Sequence, residues 1–350
     1  MVSYIDTSGV ERYVINNTYK IQLLAKDYFT FSLKDAERVT HDMTKYLVKF
    51  VMPHNDKVEE LISKAVNYHP KNILLGYQGI DVYYITYITL DKAPYYNQDP
   101  FGGNADIDFD VYINGHFVKS SGEYSDVNSY YFPISLSINY HLFNKDDYIY
   151  IKVYDIDYDA NDYLGSTEKG SLKDLGNNGD PNAFTITSLD NSIKATVHVV
   201  NDVYLQARAI FNALKTYDIN YSSSTISFPN ENTQRIRLPE EVLELGEANC
   251  IDGTLLWASA LENIGIDPII FLIPGHAFVG FYNDSAHTSI TAIETTLMGS
   301  TDNFSELVEK GMEEYEQYKN YFNYYDGYIK LDVSRIREEG IIPLAKELIQ

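Results

Sequence analysis

A cysteine, a histidine and a glutamate in the last third of the chain have the types and the order that nucleophilic catalysis requires. Cys250 is the single cysteine among the 350 residues, and it opens an apolar segment that stops at Gly265 and Pro268, which predicts a helix. A thiol at a helix N-terminus faces partial positive charge, which stabilises its thiolate form. The competing interpretation is that Cys250 packs as a small apolar side chain in the core.

His276 and Glu294 are the groups that would make this thiol reactive. His276 lies in the apolar, strand-like segment 269–282, where an imidazole without a partner would be costly. Glu294 lies in the next strand-like segment, 290–295. A thiolate that attacks, a histidine that moves the proton and an acid that orients the histidine together perform acyl transfer. The sequence therefore predicts a Cys250–His276–Glu294 triad.

The motifs around these residues resemble those of the transglutaminase-like superfamily, which is related to papain-type proteases. The matching segments are Asn249-Cys250-x-Asp252, Gly275-His276-Ala277-Phe278 and Glu294-Thr295-Thr296. The resemblance covers about residues 202–345, and it departs from the family pattern at Glu294, where Asp is usual, and at Phe278, where Trp is common. It implies a thiol-dependent hydrolase or acyltransferase that acts on amide bonds of a protein or peptide and needs no organic cofactor. Protease, deamidase and crosslinking activities stay open, since water and amines compete for the same acyl-enzyme.

Gln234 is a further candidate of this resemblance. By analogy with papain it would donate a hydrogen bond in the oxyanion hole, and the alternative is an ordinary loop glutamine.

Two loops in the middle of the chain carry more aspartates than a surface loop needs. They span residues 99–108 and 155–162. Crowded carboxylates repel one another unless a cation lies between them, and Ca²⁺ accepts six to eight oxygen ligands in flexible geometry. The alternative is that these aspartates serve as turn and capping residues.

Residues 78–200 resemble a C2 domain, most specifically in the segment from Val153-Tyr154-Asp155-Ile156-Asp157 to Asp162-Tyr163-Leu164-Gly165. The resemblance implies an eight-stranded sandwich and a set of calcium ligands: Asp99, Asp106 or Asp108, Asp155, Asp157 and Asp162. The third loop is about a residue shorter than the commonest pattern, so Asp159 is an alternative to Asp162. The segment lacks the basic strand face with which some C2 domains bind anionic lipids.

The elements that must position these groups predict an α+β protein with three regions. Residues 1–75 read as a mainly helical element, because apolar residues recur at helical spacing over 34–67, with an interruption at Pro53. Residues 76–200 alternate short Tyr-, Ile- and Val-rich runs with turn residues, which predicts an antiparallel β-sandwich. Residues 201–350 mix helices and strands and form the transglutaminase-like catalytic domain.

Charge and hydropathy limit the function classes. A formal net charge of −23 argues against nucleic-acid binding, which depends on basic patches, and suits cation binding. No signal peptide or apolar run of about 18 residues is visible, so we expect a cytoplasmic protein, with export by a signal-independent route left open. The second functional hypothesis is a catalytically silent protein that docks on a membrane or a protein through its C2-like region.

Overall fold

The chain folds into two compact units. The computed structural model describes residues 2–5, 11–15, 19–25, 28–31, 44–71, 81–94, 105–127, 132–157, 161–222, 234–325 and 327–344, with residues 2–31 and 234–235 described by their backbone. One unit is Asp81–Asp202, and the other combines Met1–Ile80 with Val203–Gln350.

The Asp81–Asp202 unit is an eight-stranded antiparallel sandwich. Its strands are β5 (Tyr83–Lys92), β6 (Ile107–Ile113), β7 (His116–Ser120), β8 (Ile134–Phe143), β9 (Ile149–Ile156), β10 (Asn161–Ser166), β11 (Ala183–Thr187) and β12 (Lys194–Asn201). The strand orders of the two sheets are β10-β9-β6-β7 and β11-β12-β5-β8. Strict alternation of buried and less buried residues along β6 and β12 gives each sheet one apolar face, and the two faces share a single core. This architecture is compatible with a C2-like sandwich.

The other unit is built on a four-stranded antiparallel sheet and several helices. The sheet runs in the order β18 (Ile290–Ile293), β17 (His276–Tyr282), β16 (Pro268–Ile273), β19 (Ile329–Asp332). The α-helices among the described residues are α1 (Asp56–Ala65), α2 (Asp202–Leu214), α3 (Pro239–Leu245), α4 (Cys250–Asn263), α5 (Phe304–Tyr318) and α6 (Val333–Glu338). Short parallel strands β13 (Asn220–Tyr221) and β15 (Glu247–Ala248) precede α4. None of the helices formed by the described residues combines the length and apolarity needed to cross a bilayer.

Helix α4 is the central element of this unit. Every residue from Cys250 to Leu261 is buried, so the helix is covered on all sides, as expected of a mainly apolar helix enclosed by a core. It packs against β16 and β17 on one side and against α1 and α3 on others. Its N-terminus is therefore held rigidly next to the strands that carry the histidine.

The N-terminal region differs from the helical element expected over residues 1–75. Residues 2–31 form four strands, β1 (Val2–Ile5), β2 (Glu11–Ile15), β3 (Tyr19–Ala25) and β4 (Tyr28–Phe31), and β4 pairs with β14 (Gln234–Ile236). The helical part of the prediction holds further on, where a 3₁₀ helix (Lys45–Phe50) precedes α1. Residues 32–43 lie outside the described residues. The helical periodicity covers only 34–67, and residues 2–31 instead pair as consecutive antiparallel strands, β1 with β2, β2 with β3 and β3 with β4.

Candidate active site

The N-terminus of α4 presents Cys250 at the first helical position. The side chain of Asn249 accepts a hydrogen bond from the Asp252 amide at 2.9 Å, and Asp252 accepts one from the Asn249 amide at 3.2 Å, which forms a reciprocal capping box. These two caps fix the entry of the chain into the helix. The thiol consequently lies where the helix dipole favours negative charge.

Arg237 stabilises this cap through hydrogen bonds to Asp252. Its amide donates to Asp252 Oδ1 at 2.7 Å and its guanidinium donates to Asp252 Oδ2 at 3.1 Å. Both side chains are buried, with 6% and 0% of their surfaces exposed. Burial raises the pKa of Asp252 to about 6, and the hydrogen bonds and charge of Arg237 oppose this rise. Burying the Asp252 carboxylate therefore costs free energy, and the contact with Arg237 offsets part of that cost.

His276 is placed by a tight hairpin. Gly275 adopts φ of 80° in the turn between β16 and β17, a conformation that glycine tolerates without strain, and His276 is the first residue of β17. The ring of Phe278, two residues on, stacks against Phe271 with centroids 4.9 Å apart. This aromatic floor supports the strand that presents the imidazole.

The two carboxylate oxygens of Glu294 contact different residues. Its Oε2 lies 2.7 Å from Nε2 of His276, and its Oε1 accepts hydrogen bonds from the amide and the hydroxyl of Thr296. Only 7% of the Glu294 side chain is exposed. Thr296 therefore fixes the orientation of the acid that in turn fixes the imidazole.

The structure brings Cys250, His276 and Glu294 together. Burial alone lowers the pKa of His276, but contacts with Cys250, Glu294 and Glu314 outweigh it and raise the pKa to about 12. Burial raises the pKa of Glu294, yet the hydrogen bonds from His276 and Thr296 prevail and lower it. Since Nε2 faces carboxylates, Nδ1 is the ring nitrogen left for the thiol. This arrangement favours an imidazolium beside the sulfur.

Two further residues at this site were not identified from the sequence. Glu314 Oε2 lies 3.4 Å from His276 Nε2, and Tyr221 lies within electrostatic range of Cys250, His276 and Glu294, while burial raises its pKa. Glu314 belongs to a helix rich in glutamates, and Tyr221 is one of 32 tyrosines. Neither carried a local signal that distinguishes it from a solvated neighbour.

Gln234 lies in β14, paired with β4, and its side chain is outside the described part of the structure. Its candidate role as an oxyanion donor therefore stays a prediction.

The structure describes part of each of the two acidic segments, 99–108 and 155–162. Asp99 and Asp159 lie outside the described residues. The Asp106 amide donates to Asp155 Oδ1 at 2.8 Å, and Asp162 lies opposite Asp155 in the pairing of β10 with β9. Burial raises the pKa of Asp155, and the nearby carboxylates of Asp157, Asp106 and Asp162 raise it further against a backbone hydrogen bond from Asp106. These four aspartates form one electrostatically strained group.

Asp108 takes a different position from that group. Its carboxylate accepts hydrogen bonds from the hydroxyls of Ser120 and Ser121, each at 2.8 Å. Of the two alternatives, Asp106 is the one that contacts Asp155. The residues expected to form a loop over 155–162 instead continue β9 to Ile156 and start β10 at Asn161. Within the described residues, the one group of three or more potential metal ligands within 4.8 Å of one another is His276, Glu294 and Glu314.

Comparison with known proteins gives limited similarity. No protein-family model matches the chain, and no curated protein does. Among solved structures, the first C2 domain of plant Extended Synaptotagmin 1 matches at TM-score 0.24 and 12% identity, over 35% of this chain and 92% of that one. The two C2 domains of Extended Synaptotagmin 2 match at TM-score 0.20 and 15% identity, over 34% of this chain and 38% of that one. Their calcium-bound form matches at 0.21 and 16%, over 34% and 42%. Similarity at such TM-scores carries no argument for function, and the sandwich is defined by its own strand order.

Proposed function

We propose that this protein is a thiol-dependent hydrolase or acyltransferase of the transglutaminase-like type, acting on amide bonds through Cys250, His276 and Glu294. The observation that supports the proposal most is the His276 imidazole, which contacts Cys250 on one side and lies 2.7 Å from Glu294 on the other. A capped helix N-terminus under the thiol adds to it. These are the relations that a covalent acyl-transfer site requires.

The proposed reaction uses the Cys250 thiolate as nucleophile and the His276 imidazolium as proton donor. The Cys250 thiolate attacks the amide carbonyl carbon, and the carbonyl oxygen becomes an oxyanion. The amides of Cys250 and Ile251, the first two of α4, are suitable donors to it because the first amides of a helix have no acceptor within the helix. The carbon–nitrogen bond then breaks, and the departing amine takes the proton from the His276 imidazolium. A thioester remains on Cys250. Water or an amine, deprotonated by the neutral His276, attacks the thioester and regenerates the thiolate. The competing acceptors decide between hydrolysis, deamidation and crosslinking.

The C2-like sandwich would bind Ca²⁺ and serve regulation or targeting. Asp106, Asp155, Asp157 and Asp162 offer the hard oxygen ligands that this ion prefers. The pKa of Asp155 is raised by burial first and then by the neighbouring carboxylates, whose repulsion a cation would relieve. Asp99 would complete the set. A membrane surface or a partner protein is the expected docking target.

Alkylation of Cys250 with an iodoacetamide probe, with and without Ca²⁺, tests the proposal. Because Cys250 is the single thiol, all label reports on the site, and Cys250→Ala is the blank that should also abolish turnover. Rapid labelling near neutral pH is expected of a thiolate–imidazolium pair. Labelling no faster than that of an unfolded thiol, or turnover that survives in Cys250→Ala, would end the enzyme proposal.

One observation favours the second candidate, a catalytically silent protein that acts as a calcium-dependent docking module. Cys250 is only 8% exposed, which suits a thiol that packs rather than reacts. In that case Cys250 stays unlabelled in the folded protein with or without Ca²⁺, while the sandwich still binds the ion.

A further inference from the structure

His276 has a second carboxylate partner that the triad does not use. Glu314 Oε2 lies 3.4 Å from Nε2 of His276, the atom to which Glu294 Oε2 is bonded at 2.7 Å. The Glu314 oxygen is shielded from solvent and makes no aligned hydrogen bond with any other described group. A single N–H cannot make two short, linear hydrogen bonds, so Glu314 acts on the ring through its charge.

Close docking of α5 on β18 brings Glu314 to this place. A Cβ atom on Gly311 would lie 2.5 Å from the carbonyl carbon of Ala292 and from the amide nitrogen of Ile293, so the helix backbone rests directly on the strand. The Glu294 amide also donates to the carbonyl of Leu307 at 2.9 Å. Residues three apart lie on the same face of a helix, and Glu314 follows Gly311 by one turn. The contact of helix and strand thus aims both carboxylates at one imidazole.

We propose that Glu314 is a positioning residue, a second carboxylate that keeps His276 charged and oriented toward Cys250. The inference rests on the proposed function of this site and adds to it the group that keeps its histidine protonated. A lone orienting acid would stabilise the imidazolium from one direction. Two acids on different elements enclose Nε2 and restrict rotation of the ring.

The charges around the ring favour the same state. Cys250 from α4, Glu294 from the end of β18, Glu314 from α5 and Tyr221 from β13 are the titratable groups that face His276 among the described residues. One carboxylate oxygen of Glu294, one of Glu314 and the ring nitrogen of His276 lie within 4.8 Å of one another. Two carboxylates so close repel each other unless a positive charge lies between them. A neutral imidazole would leave this repulsion uncompensated, whereas an imidazolium removes it.

NMR titration of the His276 ring in the full-length protein tests the role of Glu314. The resonance is assigned by its loss in His276→Ala and followed from about pH 6, near the ordinary pKa of histidine, to about pH 12, where the wild-type ring begins to lose its proton. In Glu314→Gln the pKa of His276 should fall by about 1–3 units, the effect of removing an opposite charge at this distance. Glu309→Gln removes an exposed glutamate from the same helix and should titrate like the wild type. Glu314→Asp keeps the charge and should recover part of the shift.

Equal His276 titrations in Glu314→Gln and Glu309→Gln overturn the inference. A shift in Glu314→Gln that Glu314→Asp does not reduce overturns it as well, because side-chain length rather than charge would then matter. The titration needs no reactive thiol, so an inert Cys250 would defeat the proposed enzyme while leaving this measurement interpretable.

Discussion

At the scale of single residues, the histidine is the most constrained group in the site. Its ring contacts a thiol, two carboxylates and an aromatic strand neighbour, Phe278, at a centroid distance of 6.2 Å. A second histidine, His287, offers a natural comparison within the same unit. It bonds to Asp267 at 2.9 Å and stacks on Tyr282 at 3.9 Å, and neither partner belongs to the group around Cys250.

His276→Ala should slow alkylation of Cys250 near neutral pH by about tenfold or more, because an unassisted thiol is only a few per cent thiolate there. Turnover should fall by several orders of magnitude, and Glu294→Gln should cost somewhat less. His287→Ala is the matched control and should leave both rates near those of the wild type. Greater damage from His287→Ala than from His276→Ala would mean that the base has been misassigned.

The sequence indicates some of these residues and hides others for physical reasons. Cys250, His276 and Glu294 each lie in short motifs at the boundary of a helix or strand, and the structure places them together. The sequence does not single out Glu314, because α5 carries several glutamates. Only the packing of α5 against β18 distinguishes Glu314 from Glu309 and Glu313. Long-range packing, not local pattern, selects it.

At the scale of elements, two contacts decide the geometry of the site. One is the backbone contact between α5 and β18 at Gly311. The other is the buried Arg237–Asp252 pair beneath the N-terminus of α4. Each can be broken by one substitution that leaves the side chains of Cys250, His276 and Glu294 unchanged.

Gly311→Ala should destabilise the protein by about 1–3 kcal/mol, because the added methyl would force the helix away from the strand. In an ordinary helix the same change stabilises by about 0.5–1 kcal/mol, so the sign of the effect tests the contact. Urea unfolding of the variant measures it. Lys310→Ala, on the exposed neighbouring position, should stay within about 0.5 kcal/mol of the wild type. A more stable Gly311→Ala variant would contradict the close docking.

Asp252→Ala should cost about 3–5 kcal/mol, since it removes the buried partner of the Arg237 charge and leaves it with Glu247, which lies 3.2 Å away and is half exposed. Glu262→Ala, on the same helix, breaks a pair with Arg337 whose side chains are 20% and 17% exposed, and it should cost less.

The folded-state pKa of Asp252, about 6, lies above its value in the unfolded chain. The stabilisation linked to that shift is therefore present at low pH and is lost as the pH rises through about 6. The difference in unfolding free energy between the wild type and Asp252→Ala should shrink over that range, and a difference that grows would contradict this account.

At the scale of the whole molecule, one unit carries the thiol site and the other carries the acidic strand ends. The sequence predicts the central strands of the sandwich, because alternating apolar residues mark β6, β9 and β12 and a Tyr- and Ile-rich run marks β5. It predicts neither β10, whose aspartates read as a loop, nor strands β1 to β4, which pair with one another in chain order and, at β4, with β14. A short strand is stable only when it is paired with its neighbours, so its own sequence marks it weakly.

Calcium should stabilise the sandwich unit of the full-length protein. Burial raises the pKa of Asp155, and the nearby carboxylates of Asp157, Asp106 and Asp162 raise it further; a bound cation would remove the repulsion among them. Ligation should add about 2–3 kcal/mol at about a hundredfold excess over the dissociation constant. Calorimetry should therefore show the melting temperature of this unit rising with Ca²⁺ and much less with Mg²⁺, which resists crowded sites made entirely of protein ligands.

The double variant Asp155→Asn, Asp157→Asn should erase that rise without changing the alkylation of Cys250 in the absence of calcium. Asp146→Asn is the matched control. Asp146 is exposed and precedes β9, whereas Asp155 lies near the other end of that strand, so its variant should respond to Ca²⁺ like the wild type. If millimolar Ca²⁺ gives no heat of binding and no shift in melting, the aspartates serve as strand and turn residues, and the sandwich is a calcium-independent docking or structural unit. Because the alkylation of Cys250 is measured on the same samples, that result would separate the fate of the calcium site from that of the thiol site.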